Sequence, residues 1–287
     1  MPTAAPFPKQ MLQIMNNKTI PSPSLSFSGS IPRHYEQCLG PMFFEPYAIE
    51  VSKRVDPSSV HLALEIACGT GRVTHHLQKV IPSSAKLIAS DISPDMLAVA
   101  EEKLKTSNID WRIIDAQELP FDDNSIDLVV CCFGYMLVPD KPKAFAEAYR
   151  VLRPEGMFLF ATWDKLELNA ASYVYRKVAK KYLTDLPPES YNLPFSMNDE
   201  AVIKSLLLNA GFSKITIERV NKISVCSTAK EAAEGLAQGG SIYNEIIKRN
   251  PAWIEEIKET VEKELANKFG ASPMSAPMRA VITEAWK

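Results

Sequence analysis

The residues best placed to do chemistry are Glu65 with Gly69 and Gly71, then Asp91, then Asp115, each at the end of an apolar run. The first group ends the strand-like Leu64-Glu65-Ile66 and opens a helix through Ala67-Cys68-Gly69-Thr70-Gly71-Arg72. Glycines belong in such a turn where a ligand approaches the backbone more closely than a Cβ allows. Asp91 closes the next apolar run, where a carboxylate can accept protons from both hydroxyls of a ribose. Ser93 ahead of Pro94 is the better helix cap, which leaves Asp91 for a ligand. Asp115 follows a third run and can accept from an exocyclic adenine amine, while the next backbone amide donates to a ring nitrogen. Each feature alone has a bland reading, as glycine turn, helix cap or Asx-turn. Their shared place at strand carboxyl ends favours a nucleoside ligand.

Those positions require a particular scaffold. Strands are expected at 60–67, 86–90, 109–114, 126–133 and 156–162, alternating with helices at 72–80, 94–105 and 143–152. Near-continuous apolar strands in such a rhythm imply a parallel sheet covered on both faces. Beyond Trp163 the rhythm changes. Helices are expected at 170–183 and 199–210, a long β-prone run at 214–226, an all-helical stretch at 229–269 and a last strand at 278–285. Upstream, residues 1–29 are rich in Pro, Ser and Asn and read as a tail. Residues 31–55, with Tyr35, Phe43, Phe44 and Tyr47 broken by Pro41 and Pro46, read as short helices too irregular for a core element.

Composition narrows the class. The chain has 287 residues, 46% hydrophobic and 23% charged, which is ordinary globular material. A net charge of −2 gives no general attraction for a polyanion, so no nucleic-acid partner is expected. The five cysteines lack paired spacing and read as reduced thiols in a cytoplasmic protein. No apolar run approaches the roughly 18 residues that span a bilayer, and no membrane partner is expected. His75 and His76, adjacent on a helix, point about 100° apart, so no metal is expected.

Taken in order, Glu65-Ile-Ala-Cys-Gly69-Thr-Gly71, Asp91-Ile-Ser-Pro-Asp-Met96, Asp115-Ala-Gln-Glu-Leu-Pro-Phe121, Asp127 to Gly134 and Tyr149 to Gly156 resemble the class I methyltransferases. The likeness runs from about Val60 to Trp163, and the segment from Ser30 to Tyr47 is similar to the entry segment of a bacterial small-molecule subgroup. It implies a Rossmann-like, doubly wound α/β fold: a mainly parallel seven-stranded sheet with an antiparallel last strand and helical cap insertions. It implies S-adenosylmethionine as methyl donor, S-adenosylhomocysteine as product and a small-molecule acceptor. Glu65, Ala67, Gly69 and Gly71 would hold the methionine portion and Asp91 the ribose. Ile92, Met96, Asp115, Ala116 and Gln117 would surround the adenine, with Cys131, Cys132 and Tyr35 passing near the sulfonium. Ala67 departs from the pattern, standing where the first glycine is usual. The chain would then divide into a tail (1–29), a lid or strap (30–55) and a methyltransferase domain (56–287). That domain would hold a donor core at 60–163 and cap insertions at 164–198 and 227–276, in a monomer or homodimer.

Methyl transfer from a sulfonium is an in-line displacement, so the protein mainly aligns the acceptor within about 3–3.5 Å and excludes water. If a base is needed, His34, Tyr35 and Asp164 are the candidates. Phe133, Tyr135, Met136 and Trp163 are candidates for an apolar acceptor pocket. Three rivals stand beside this reading: an NAD(P)-dependent Rossmann oxidoreductase, a methyltransferase of RNA or protein, and a silent donor-binding module. Against the first, Thr74 replaces the third glycine of a Gly-x-Gly-x-x-Gly turn.

Overall fold

The computed structural model describes residues 27–105, 108–187, 192–240 and 242–287. The expected tail therefore lies, up to residue 26, outside the described residues. The first elements are α1 (Ile31–His34), a π-helix (Tyr35–Phe44) and α2 (Glu45–Ser52). A parallel core follows: β1 (Leu62–Ile66), α3 (Arg72–Val80), β2 (Lys86–Asp91), α4 (Pro94–Leu104), β3 (Ile109–Ile113), β4 (Ile126–Cys132), α5 (Lys141–Val151) and β5 (Leu152–Trp163). Then come α6 (Ala170–Ala179), α7 (Glu200–Ala210), β6 (Lys214–Cys226), α8 (Ala229–Gln238), α9 (Ile242–Arg249), α10 (Trp253–Phe269) and β7 (Met274–Trp286).

The seven strands lie in the order β3-β2-β1-β4-β5-β7-β6. The first five are parallel, and β7 runs against both neighbours. The strand order reverses between β1 and β4, which is where an open α/β sheet leaves a crevice at its carboxyl edge. Local chemistry sets the element starts. Ser93 Oγ accepts from Met96 N (3.3 Å) with Pro94 in the first turn, and Asp140 Oδ1 accepts from Lys143 N (3.1 Å). That second cap starts α5 two residues earlier than the apolar pattern indicates. Gly211, at φ +114°, stops α7.

Two expectations change. The stretch 229–269 is three helices rather than one run, interrupted around Gly239-Gly240 and at Asn250-Pro251. The short helices expected in 31–55 run into one another from Ile31 to Ser52 without a break at Pro41 or Pro46, and Ile31, Met42, Phe43, Tyr47 and Val51 of this strap are buried. Pro41 cannot donate within an α-helix, and the wider π winding accommodates it, closing with Glu45 N bonded to Gly40 O. Tyr47 donates its hydroxyl to Val220 O (3.0 Å), tying the strap to β6.

β6 and β7 extend past Trp163, the last residue of β5, which pairs with Ala280. The connection between them, α8 to α10, therefore leaves and returns at the carboxyl edge. There α8 packs on the π-helix so closely that a Cβ on Gly235 would sit 2.5 Å from Cys38 Cβ.

β1 and β4 meet under strain. Ala67 (φ +53°) and Phe133 (φ +60°) both adopt left-handed backbone just beyond their strands. For a bulky residue such as Phe133 this is a true outlier, of the kind found at functional sites. Gly134 makes the meeting possible, since a Cβ there would lie 2.5 Å from Ala67 Cβ and 2.6 Å from Cys131 Sγ. Gly134→Ala should cost about 1–3 kcal/mol by overpacking, seen as a lower urea midpoint at unchanged slope; an unchanged midpoint would show that the two turns are not in tight contact.

Candidate active site

The crevice at the switch point is lined by Tyr35 and Phe44 from the π-helix, by Glu65, Ala67 to Thr70, Arg72 and Val73 around the glycine turn, and by Cys132 and Phe133 at the end of β4, whereas Gly71 faces Ala100, Leu104 and Trp111 instead. Glu65 is 1% exposed, and its Oε2 has no hydrogen-bond partner among the described residues. A buried acceptor of this kind fits a cationic or hydrogen-bonding ligand group, such as the amino group of a methionine portion. Burial pushes its carboxyl up to about 8, tempered by the Thr74 hydroxyl and reinforced by the Asp91 charge.

Asp91 ties the turn together. Its Oδ2 accepts from Gly69 N (2.8 Å) and its Oδ1 from Ser93 N (2.8 Å). Each oxygen keeps a further lone pair, so two ribose hydroxyls can still be accommodated. Burial raises the Asp91 carboxyl above its ordinary range, while the amides of Ser93 and Gly69 pull it back. Met96 lies under this turn, its Cε 3.4 Å from the position a Cβ on Gly69 would take. Asp115 accepts from Gln117 N (2.8 Å) in an Asx-turn, and Gln117 Oε1 accepts from Asp140 N (2.9 Å). Ala116 is buried beside them, and Ile92 is 66% exposed at the end of β2.

The strap is latched over this turn. Glu36 accepts from Thr70 Oγ1 (2.6 Å), Arg72 Nη2 (2.8 Å) and Lys103 Nζ (3.1 Å), and Glu45 from Arg72 Nη1 (2.9 Å). His76 joins Glu45 at 2.8 Å. The latch holds Tyr35 in the crevice, stacked on Phe44 at 4.7 Å. Beyond them stands an aromatic wall. Phe133 stacks on Trp163 (4.0 Å), flanked by Phe44 at 5.4 Å and Tyr47 at 5.5 Å from Phe133.

The structure thus gathers Tyr35, Glu65, Ala67, Gly69, Cys132 and Phe133 in one crevice, with Trp163 behind Phe133 and Asp91 beneath the turn. Other candidates require correction. Asp164 is 1% exposed and ion-paired with Arg279 (2.6 Å), with Lys165 N also donating to it (2.7 Å), so it anchors β5 to β7 instead of serving as a base. His34 turns its Nδ1 to Ser30 O (2.9 Å) and does not line the crevice. Cys131 is wholly buried under Gly134, its thiol pushed up to about 12 by burial, and only Cys132 reaches the crevice. Tyr135 donates to Ala144 O (3.0 Å) and, like Met136, belongs to the core. Among the described residues no group of three potential metal ligands exists. The sequence reading missed Phe44, Thr70, Arg72 and Glu36. Arg72 and Thr70 sit inside the motif already singled out, so only their distant partner was hidden.

Comparison with known proteins decides the family. Residues 64–160 match the family described as Methyltransferase domain. The chain is 33% identical over 174 residues to a ubiquinone/menaquinone biosynthesis C-methyltransferase of Pseudoalteromonas translucida, covering 56% of this chain and 69% of the relative. It is 31% identical over 182 residues to a demethylmenaquinone methyltransferase of Oceanobacillus iheyensis, covering 59% and 76% of the two chains.

The chain is a class I S-adenosylmethionine-dependent methyltransferase.

A solved phosphoethanolamine N-methyltransferase 2 of Haemonchus contortus, in complex with S-adenosylhomocysteine, shares the fold. It superposes with a TM-score of 0.57 at 19% identity, over 98% of this chain and 61% of that one. As a methyltransferase of this class the protein takes S-adenosylmethionine as donor. Among the described residues no helix is long and apolar enough to cross a membrane.

The buried carboxyl gives a pH test. Glu65 in the folded methyltransferase keeps its proton up to about 8, whereas the ordinary value is 4.5. The folded state therefore binds more protons between those limits, and stability is full below the lower one and falls as pH rises through the upper one. Without donor, the urea midpoint should decline across that window, and Glu65→Gln should flatten the decline; an equal slope in both proteins would remove Glu65 as its source.

Proposed function

We propose that the methyltransferase transfers the donor's methyl group to a ring carbon of a hydroxylated aromatic acceptor held against Phe44 and Phe133, with Trp163 backing Phe133. The observation that carries this reading is the aromatic wall beside the glycine turn, with Phe133 and Trp163 stacked at 4.0 Å and Phe44 across from them. A planar acceptor gains most from such a surface, because ring pairs add about 0.5–1.5 kcal/mol beyond burial. The names of the two relatives, a C-methyltransferase of ubiquinone and menaquinone biosynthesis and a demethylmenaquinone methyltransferase, point to the same acceptor class.

The donor supplies an electrophilic methyl group on a positively charged sulfur. In this reading Glu65 takes the amino group of the methionine portion in ionised form, which gives its orphaned Oε2 a partner. Asp91 takes the ribose, and Met96, Asp115 and Ala116 border the adenine. Tyr35 and Phe44 exclude water from the sulfur side, so the acceptor carbon approaches in line. The carbon–carbon bond forms as the carbon–sulfur bond breaks, and the ring then releases its proton. Because Tyr35 is latched through Glu36, the strap serves as the donor site's lid and opens by parting Glu36 from Thr70, Arg72 and Lys103 and Glu45 from Arg72 and His76.

Two experiments test the reading. Loss of the Asp91 carboxylate should remove a charge-assisted contact of about 1.5–3 kcal/mol, so Asp91→Ala should weaken binding of S-adenosylhomocysteine at least about tenfold in calorimetry. Unchanged affinity would move the ribose elsewhere. A screen with labelled donor should show methyl transfer to hydroquinones and naphthoquinols at carbon, impaired in Trp163→Ala. Transfer confined to aliphatic amines or carboxylates would overturn the acceptor assignment while leaving the donor site intact.

A further inference from the structure

The sheet has two edges of very different character. β3 is only five residues long and, although it ends on the exposed Ile113, it bears the exposed pair Asp110 and Arg112, bonded to each other, which blunts it against further pairing. β6 has 13 residues and leaves Ile223 54% and Val225 51% exposed. Which of its backbone groups face outward follows from β7. Arg279 N donates to Asn169 Oδ1 (3.1 Å) and Arg279 O accepts from Asp164 N (3.1 Å), so both groups of Arg279 point away from β6. Asn221, its partner in register, must then turn its own amide and carbonyl away from β7. With a period of two, the outward groups belong to the odd-numbered residues 215 to 225, and no backbone partner among the described residues reaches them.

Read outward from Val220, the strand is nearly its own mirror. Arg219 balances Asn221, Glu218 balances Lys222, Ile217 balances Ile223, Thr216 balances Ser224 and Ile215 balances Val225. We infer that β6 pairs with β6 of a second copy of this chain, antiparallel about a two-fold axis at Val220, joining two sheets into one of 14 strands. In that register every outward amide and carbonyl from residue 215 to 225 falls in a hydrogen-bonded pair, since odd faces odd. The exposed Ile223 and Val225 are covered by the half-buried Ile217 and Ile215 of the second copy, and Glu218, paired with Arg54 in its own chain, stands opposite Lys222, paired with Glu50, so no like charges meet. A two-fold interface must be self-complementary, and this strand meets that condition in shape, polarity and charge. The inference is independent of the acceptor and of the donor-site assignments.

Sedimentation velocity of the full chain, with melting temperature as a check on folding, tests it. The wild type should sediment at twice the chain mass and Ile223→Lys at the mass of one chain, because an edge lysine opposes strand addition. Register is tested separately at the exposed Asn221: Asn221→Glu, facing Arg219 across the axis, should tighten the dimer, and Asn221→Arg should loosen it. A monomeric wild type overturns the proposal, as does an Ile223→Lys dimer as tight as the wild type. If both Asn221 variants shift association in the same direction, the Val220 register is wrong.

Discussion

The hydrogen bond from Gly69 N to Asp91 Oδ2 joins the ends of β1 and β2, and the arrangement of the site descends from it. It fixes the left-handed turn through Ala67, Gly69 and Gly71, which sets where α3 begins. Arg72, the first residue of that helix, is thereby aimed at Glu36 and Glu45, and the strap docks where they meet. The strap carries Tyr35 and Phe44 to the crevice, and Phe43, Phe44 and Tyr47 to the aromatic wall. A carboxylate used as a structural clamp keeps spare lone pairs for a ligand. One side chain can therefore preorganise the site and still take part in binding.

The latch gains its strength from partial burial. Exposed ion pairs contribute little, about 0–1 kcal/mol each. Here Arg72 and Glu36 are 15% and 19% exposed at their side chains, and Glu36 serves three donors at once. Such a cluster is costly to break singly, because each departure leaves a partly desolvated charge behind.

The parallel core was legible because strands buried on both faces write themselves as apolar runs, and because Gly71, Ser93 and Gly211 mark helix ends by chemistry that does not depend on distant partners. The crevice residues on those strand ends were legible for the same reason. The unbroken winding of the strap was not, since Pro41 and Pro46 signal interruption in an α-helix, whereas Pro41 lies inside a π-helix and Pro46 in the first turn of the next helix. Asp164 misled because its partner, Arg279, lies 115 residues away, and nothing local distinguishes an ion-paired carboxylate from a free one. Tyr135 and Met136 misled in another way: the left-handed turn at Phe133 sends the next side chains back into the core, and a sequence does not display that reversal.

β7 lies between β5 and β6 although it follows both in sequence. On a ribosome, the parallel half can assemble as it emerges, each strand finding a neighbour already made. β6 has none until the following helices and β7 have been synthesised. For that interval its 13 residues and the bare flank of β5 are both open to solvent and to other chains. The helices α8 to α10 thus set a waiting time as well as a shape, and their length measures how long the nascent protein stays half closed.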